Sequence, residues 1–326
     1  MKAIIFDQFG ASDVLKLGEV AEPVLRPTDL LVLTQAAGVN RADLTHRRGG
    51  YGWPDFGDST IMGLEIAGIV VAVGAEVQGY KPGDRVMGIV GGGAYAEVAR
   101  IDYRMAMPIP EGLDYIQGAA ITEVFVTAHE ALIHLGRLQP GETVLVHAGA
   151  GGVGGAAVQL AHALGATVIT TAQASAHALV RRMGADHAID YTTQDFAEAV
   201  AGLTDNRGVD LILDFIGAPY LERNVNSLDF GGRLVQIGIM GGIEHASIAL
   251  DRLLYRHLQI IGTVMKSRPQ EVKHAMSRRF KERWLSQFGK DGLNPVIDSV
   301  FPLAEAGAAQ QRMEDGLNVG KIVLTM

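Results

Sequence analysis

The sequence predicts an α/β fold in two parts, a β-barrel-like domain joined to a doubly wound parallel sheet. Three observations predict it. Residues 1 to about 120 carry short apolar β segments broken by Gly, Pro and Asp, the patterning of a barrel-like unit. From about residue 123 the rhythm changes to strand–helix alternation, which implies a parallel sheet. The run Val144-Leu-Val-His-Ala-Gly-Ala-Gly-Gly-Val-Gly-Gly-Ala-Ala-Val-Gln-Leu160 then joins an apolar strand to a helix through a glycine-dense turn.

The elements follow in order. In the first part strands are expected at Leu30–Ala36, Ile66–Val73, Arg85–Ile89 and Tyr95–Ala99, with turns such as Lys81-Pro-Gly-Asp84 between them. In the second part strands fall near 143–147, 167–171, 186–189, 209–214, 233–238 and 258–263, with helical stretches between most of them. After about residue 266 a helix over Gln270 to Gly289 leads to a last strand, Gly320 to Met326. That tail is expected to return to the first part. The domains are therefore 1–122 with 266–326, and 123–265 as an insertion. Neither internal repeats nor low-complexity segments interrupt the pattern.

A chain of 326 residues suits two domains with ample core. Apolar residues make up 48% and charged ones 20%, as in an ordinary soluble protein. The net charge of −8 comes without any basic run, which argues against nucleic acid as a partner. The absence of cysteine excludes disulfides, thiol catalysis and thiolate zinc ligation. The N-terminus, Met1-Lys-Ala-Ile-Ile-Phe-Asp7, reads as a strand and meets an acid too early for a signal peptide. No apolar stretch approaches the roughly 20 residues a membrane helix needs, so the expectation is a cytoplasmic protein with no membrane partner.

The glycine-dense turn reads Ala148-x-x-Gly151-x-x-Gly154, a dinucleotide fingerprint with alanine at the first glycine position. Small residues let the backbone turn tightly and approach a pyrophosphate. The helix that follows offers unpaired N–H groups and the positive end of its dipole. A second strand-like run, Ala166 to Thr171, completes the βαβ context. NAD-specific folds place an acid at the end of that strand to accept from the ribose hydroxyls. Here the position is Ala172, followed by Gln173-Ala-Ser-Ala-His177. Nothing there repels a 2′-phosphate; Thr171, Gln173 and Ser175 can donate hydrogen bonds to it, and His177 or Arg181 can add charge. NADPH is the expected cofactor, with NADH as a weaker or dual-use alternative.

Several segments resemble a known family over the whole chain. They are Asn40-Arg-Ala-Asp-Leu44, Arg48-Gly-Gly-Tyr51, Gly63-Leu-Glu-Ile-Ala-Gly68, Gly83-Asp-Arg-Val-Met87, Met107-Pro-Ile-Pro-Glu-Gly112, Leu211-Ile-Leu-Asp-Phe-Ile-Gly217 and Asn318-Val-Gly-Lys-Ile-Val323. With the fingerprint, they resemble the zinc-independent medium-chain dehydrogenase/reductases of the NADPH:quinone oxidoreductase group, in particular its p53-inducible quinone oxidoreductase-like branch and zeta-crystallin relatives. The resemblance implies a GroES-like β-barrel catalytic domain plus a Rossmann cofactor domain. Zinc-dependent relatives supply a cysteine near the position of Asn40 and a histidine near Leu64; this chain has neither, so metal catalysis is not expected. Relatives that use NADPH often carry Lys or Arg in the turn after Ala172, and this chain departs from them with alanine and serine.

The resemblance also implies a cofactor site, position by position. Ala150, Gly151, Gly152 and Val153 would lie against the pyrophosphate, with Tyr191 near the adenine or its ribose. Ile216, Gly217, Gly238, Met240 and Gly241 would line the nicotinamide half, with Thr127 beside the ring. Met265, Lys266, Ser267, Arg268, Asn318 and Lys321 would form the strip that closes over the carboxamide.

Hydride transfer needs little beyond holding the nicotinamide against an electrophilic carbon and excluding water. Two candidate catalytic residues remain for the electrophile. The Asn40 amide could donate to a quinone oxygen or the nicotinamide ribose, and the Tyr51 phenol to the substrate oxygen. Asp43 is expected to organise its own loop by capping a helix start. Arg41 is expected at the surface or in a salt bridge. The implied activity is reduction of a quinone after ordered binding of NADPH in the interdomain cleft. Reduction of an enone or alkenal C=C bond, and a non-catalytic, crystallin-like NADPH-binding protein, stay open beside it. Leu253 to Ile261 is apolar and, by the resemblance, falls where relatives extend the sheet across a two-fold axis, so a homodimer is expected, with a tetramer as the alternative.

Overall fold

The computed structural model describes residues 1–50, 59–289 and 292–326. β1 (Lys2–Ile5) pairs antiparallel with β2 (Lys16–Glu19). β3 (Asp29–Gly38) buries Leu30, Val32, Thr34 and Ala36 and leaves Leu33 largely in solvent, the period of two expected of a strand. It leads to α1 (Arg41–Arg47), β4 (Glu65–Val73), β5 (Arg85–Ile89), β6 (Val98–Asp102), β7 (Ala106–Pro108), α2 (Tyr115–Gly118) and α3 (Thr122–His129).

The middle of the chain is regular: β8 (Thr143–Val146), α4 (Gly152–Leu164), β9 (Thr167–Thr171), α5 (His177–Arg182), β10 (His187–Ile189), α6 (Phe196–Leu203), β11 (Val209–Asp214), α7 (Ala218–Ser227), β12 (Leu228–Gln236), α8 (Leu250–Tyr255) and β13 (Gln259–Gly262). The last elements are α9 (Gln270–Trp284), β14 (Ile297–Pro302), α10 (Ala306–Glu314) and β15 (Lys321–Thr325). Among the described residues no helix is long and apolar enough to cross a membrane.

The chain divides into two compact units, Met1–Val126 with Gln270–Met326, and Thr127–Pro269. In the first, the sheet runs β14-β15-β3-β4-β5-β7, with β6 also paired to β3. Its pairs are antiparallel except β14 with β15. The last strand of the chain thus lies inside the sheet, bonded to β3 on one side and β14 on the other. In the second unit all pairs are parallel and the order is β10-β9-β8-β11-β12-β13, a doubly wound sheet. Leu145, Ile169, Phe196, Ile212, Val225 and Leu234 form its core.

Two expected strands shift. Tyr95 belongs to no ladder: its N–H donates to Met62 O and its C=O accepts from Ile4, and β6 begins only at Val98. β12 begins at Leu228 despite Gly231 and Gly232, and ends at Gln236 because the next two N–H groups, Ile237 and Gly238, turn to Asp214 O.

Candidate functional site

Strands β8, β9, β11 and β12 stop level with one another: Val146 stands beside Thr170 and Leu213, and Leu213 beside Val235. The segments that follow them, 147–151, 172–177, 215–217 and 237–241, therefore leave one edge of the sheet. That edge is where open parallel sheets bind ligands.

The turn after β8 shows why its glycines are needed. A Cβ at Gly149 would lie 1.9 Å from Thr170 Oγ1, and one at Gly154 would lie 2.1 Å from Ala148 O. Both glycines make room for the protein's own atoms. Gly151 differs: a Cβ there would meet only Ala148 O, at 3.3 Å. It is the N-cap of α4, extended at φ −82°, and offers no side-chain cap to the helix start. The open face at Gly151 and the first N–H groups of α4 fit a pyrophosphate, which would rest on Gly151, Gly152 and Val153. Ala148 adopts a left-handed φ of +51°. Its N–H donates to Thr171 Oγ1 at 3.1 Å and its C=O accepts from Gly151 at 2.9 Å.

At the end of β9, Ala172 is 2% exposed and donates its N–H to Ile189 O, so no carboxylate stands there. Gln173 is exposed and its amide donates to the Tyr191 hydroxyl at 3.3 Å; His177 Nε2 lies 3.2 Å from Ala172 O. Thr171 does not have the part expected of it. Its side chain is buried and its oxygen faces Ala148 and His147, away from any 2′-phosphate.

At the end of β11 the Asp214 carboxylate accepts the Ile216 and Gly217 N–H groups at 2.6 and 3.2 Å. Burial raises its pKa. Gly217 has φ +96°, and a Cβ on it would press on Gly242 O at 2.7 Å. Gly241 donates its N–H to Ile216 O and Met240 donates to Phe215 O, so the ends of β11 and β12 are tied together. Gly238, Met240 and Gly241 follow β12, and Met240 is half exposed. Thr127, in α3, and Met265–Arg268, after β13, belong to the same unit; Arg268 donates to Thr263 Oγ1.

Asn318 and Lys321 lie in the other unit. Lys321 is no free cation: it is 3% exposed, and its ammonium donates to Val39 O at 3.0 Å, Asn40 Oδ1 at 2.7 Å and Glu65 Oε1 at 2.5 Å. All three of its hydrogens are committed, so it cannot also cover a carboxamide. Asn40 is committed too. Its amide nitrogen donates to Glu65 at 3.0 Å and to Gly38 O at 3.3 Å, which replaces the expected donation to a substrate or ribose. Asn318 donates to Gly320 O. Tyr51 lies outside the described residues.

Around Glu65, α1, β4, α3 and β15 bring together a buried charge cluster that sequence reading did not foresee. Glu65 is wholly buried and also accepts from the Thr122 hydroxyl and the Glu123 N–H. Asp43 Oδ2 accepts the Asn40 N–H at 2.8 Å, as a helix-start acid should, and also the Tyr95 hydroxyl at 3.0 Å. Burial pushes the Asp43 carboxyl up to about 7 against these bonds, and pushes Glu123, beside Glu65, up to about 8. Arg41 is exposed, as expected.

Two family models match the chain. One describes an alcohol dehydrogenase GroES-like domain, over residues 26–111, and the other a zinc-binding dehydrogenase, over residues 152–282. The chain is 31% identical to the quinone oxidoreductase of Homo sapiens, across 100% of this chain and 98% of that protein. It is also 31% identical to the Homo sapiens synaptic vesicle membrane protein VAT-1 homolog, across 99% of this chain and 86% of the relative. The crystal structure of CurK enoyl reductase is similar with a TM-score of 0.87 at 26% identity, covering 100% and 99% of the two chains. The second model's zinc does not extend to a thiolate site here, since the chain has no cysteine and carries Asn40 and Leu64 at the positions discussed above.

Proposed function

We propose that this chain, which belongs to the zinc-independent, quinone oxidoreductase-like medium-chain dehydrogenase/reductases, is an NADPH-dependent reductase of quinones. Family membership makes it an oxidoreductase that uses a nicotinamide cofactor; NADPH and the quinone are our reading. The end of β9 carries the first choice. Ala172 stands where an NAD-specific site needs an acid, and the exposed Gln173 and Ser175 offer donors to a 2′-phosphate. Full-length similarity to a quinone oxidoreductase supports the second.

The cofactor supplies the hydride, and the chain's share is to hold it and to orient the acceptor. The turn at Ala150–Val153 would hold the pyrophosphate, Tyr191 would flank the adenine end, and Ile216, Gly217 and Gly238 would line the nicotinamide half. With the Asn40 amide spent inside the protein, the donor to the substrate oxygen is Tyr51. Two copies would pair through the edge strand β13, where Ile260 and, in α8, Leu250, Leu254 and Tyr255 are exposed.

The test is titration with NADPH and NADH, then addition of an ortho-quinone while the near-ultraviolet absorbance of the reduced nicotinamide is followed. NADPH binding with quinone-dependent oxidation is the expected result. Oxidation only with an enone would assign C=C reduction, the activity in the name of the CurK neighbour. Binding without oxidation would leave a nucleotide-binding protein, and no binding would overturn the proposal.

A further inference from the structure

At the start of the fingerprint turn, His147 directly follows β8 with its side chain wholly buried. Its ring stands at steep angles to Phe196 and Tyr220, with centroids 4.7 and 4.9 Å away. Cut off from solvent, both ring nitrogens need partners inside the protein. Nε2 lies 2.7 Å from Asn224 Oδ1, and Nδ1 lies 3.2 Å from Thr171 Oγ1.

The protons in this chain can be assigned in sequence. Asn224 Nδ2 donates to Asp214 Oδ2 at 3.1 Å, so the amide oxygen is the atom facing the histidine. Nε2 must therefore carry the ring hydrogen, and Nδ1 is bare. A bare Nδ1 takes the hydrogen of the Thr171 hydroxyl. That turns the hydroxyl lone pairs toward the Ala148 N–H, whose bond to Oγ1 is 3.1 Å. Burial pushes the imidazole pKa down to about 4, which keeps the ring neutral. At the far end, Asp214 gathers the N–H groups of Ile216 and Gly217.

We propose that His147 is a positioning residue: as the Nε2–H imidazole it sets the Thr171 hydroxyl to hold Ala148 in its left-handed conformation, and through Asn224 and Asp214 it ties that turn to the Ile216–Gly217 loop. The consequence for nucleotide affinity rests on the reading of the turn as the cofactor site. Sequence gives His147 no task, because its partners come from β9, α7 and β11. The protein would use it to keep a non-glycine residue at the first position of the fingerprint.

The test uses the full chain and its His147→Phe, Thr171→Val and Thr171→Ser variants, with NADPH affinity read by fluorescence titration. His147→Phe and Thr171→Val should each weaken binding about tenfold, and the double variant no more than the worse single one, because both remove one shared interaction. Thr171→Ser keeps the hydroxyl and should stay within about twofold of the parent. Without nucleotide, nitrogen NMR should show His147 protonated at Nε2 at neutral pH, and Ala148 amide exchange should quicken in the Phe and Val variants. Unchanged exchange, independent multiplying losses or a hydrogen on Nδ1 would each overturn the proposal. Should the parent bind neither NADPH nor NADH while exchange still quickens in both variants, the brace stands and the cofactor reading fails. Thr171→Val decides the matter if His147→Phe does not fold.

Discussion

Lys321 and Glu65 form an ion pair sealed between β15 and β4, with side chains 4% and 0% exposed. Removing one partner leaves the other charged and buried, which costs far more than the pair contributes when intact. Lys321→Met should therefore lower stability by about 3–5 kcal/mol in urea denaturation. The same cluster makes stability depend on pH. Asp43 titrates near 7 when folded, far above its value in the unfolded chain, because burial opposes its charge. A proton kept by the folded state and released by the unfolded one favours folding below about pH 4, and that advantage is lost as pH rises toward 7. Asp43→Asn can still accept the Asn40 and Tyr95 hydrogens at one oxygen. It should make the fall in stability across that window shallower, leaving the part that Glu123 contributes, as measured by denaturation at several pH values. Sequence places Asp43 correctly at a helix start but cannot show Tyr95 or Lys321 beside it. The motif around Asn318–Val323 points Lys321 toward a cofactor, whereas its acceptors lie 256 residues and more away in sequence.

Among the elements, the β8–turn–α4 unit was the most legible, since its strand, glycines and helix are contiguous in sequence. Which glycine does what was not, because the distinction rests on neighbours from β9 and from the turn itself. Gly154→Ala sets a Cβ against Ala148 O and should cost about 1–3 kcal/mol, read by thermal or chemical unfolding. Gly151→Ala meets almost nothing of the protein and should change stability by less than about 1 kcal/mol. Its NADPH affinity should nonetheless fall at least about tenfold if the pyrophosphate occupies that face. Equal affinity in Gly151→Ala would remove the phosphate from the turn. The strand ends that sequence misplaced share one cause. Tyr95 and Ile237 are held by hydrogen bonds to remote backbone, with Met62 and Ile4 in one case and Asp214 in the other, and local alternation carries no trace of them.

For the molecule as a whole, alternating β and βα rhythms were enough to read a barrel-like β domain and a doubly wound parallel sheet, because each rests on a period that the chain repeats many times; the GroES-like and Rossmann identities came from the family resemblance. Assembly is less legible, since a shared edge strand looks like any short apolar strand. If two copies pair through β13 as proposed, Ile260→Lys, which charges the exposed side of that strand, should give monomers where the parent gives dimers in size-exclusion chromatography with light scattering, leaving the fold intact. The position of β15 inside its sheet also sets an order of events during synthesis. The middle unit pairs its six strands among themselves and has every partner once residue 269 has left the ribosome. The outer unit waits: β3 can pair with β4 and β6 early but lacks β15, and Glu65 lacks its counter-ion, until residues 321–325 emerge. A nascent chain halted at Gly316 should thus yield a protease-resistant middle fragment flanked by segments that are still cut.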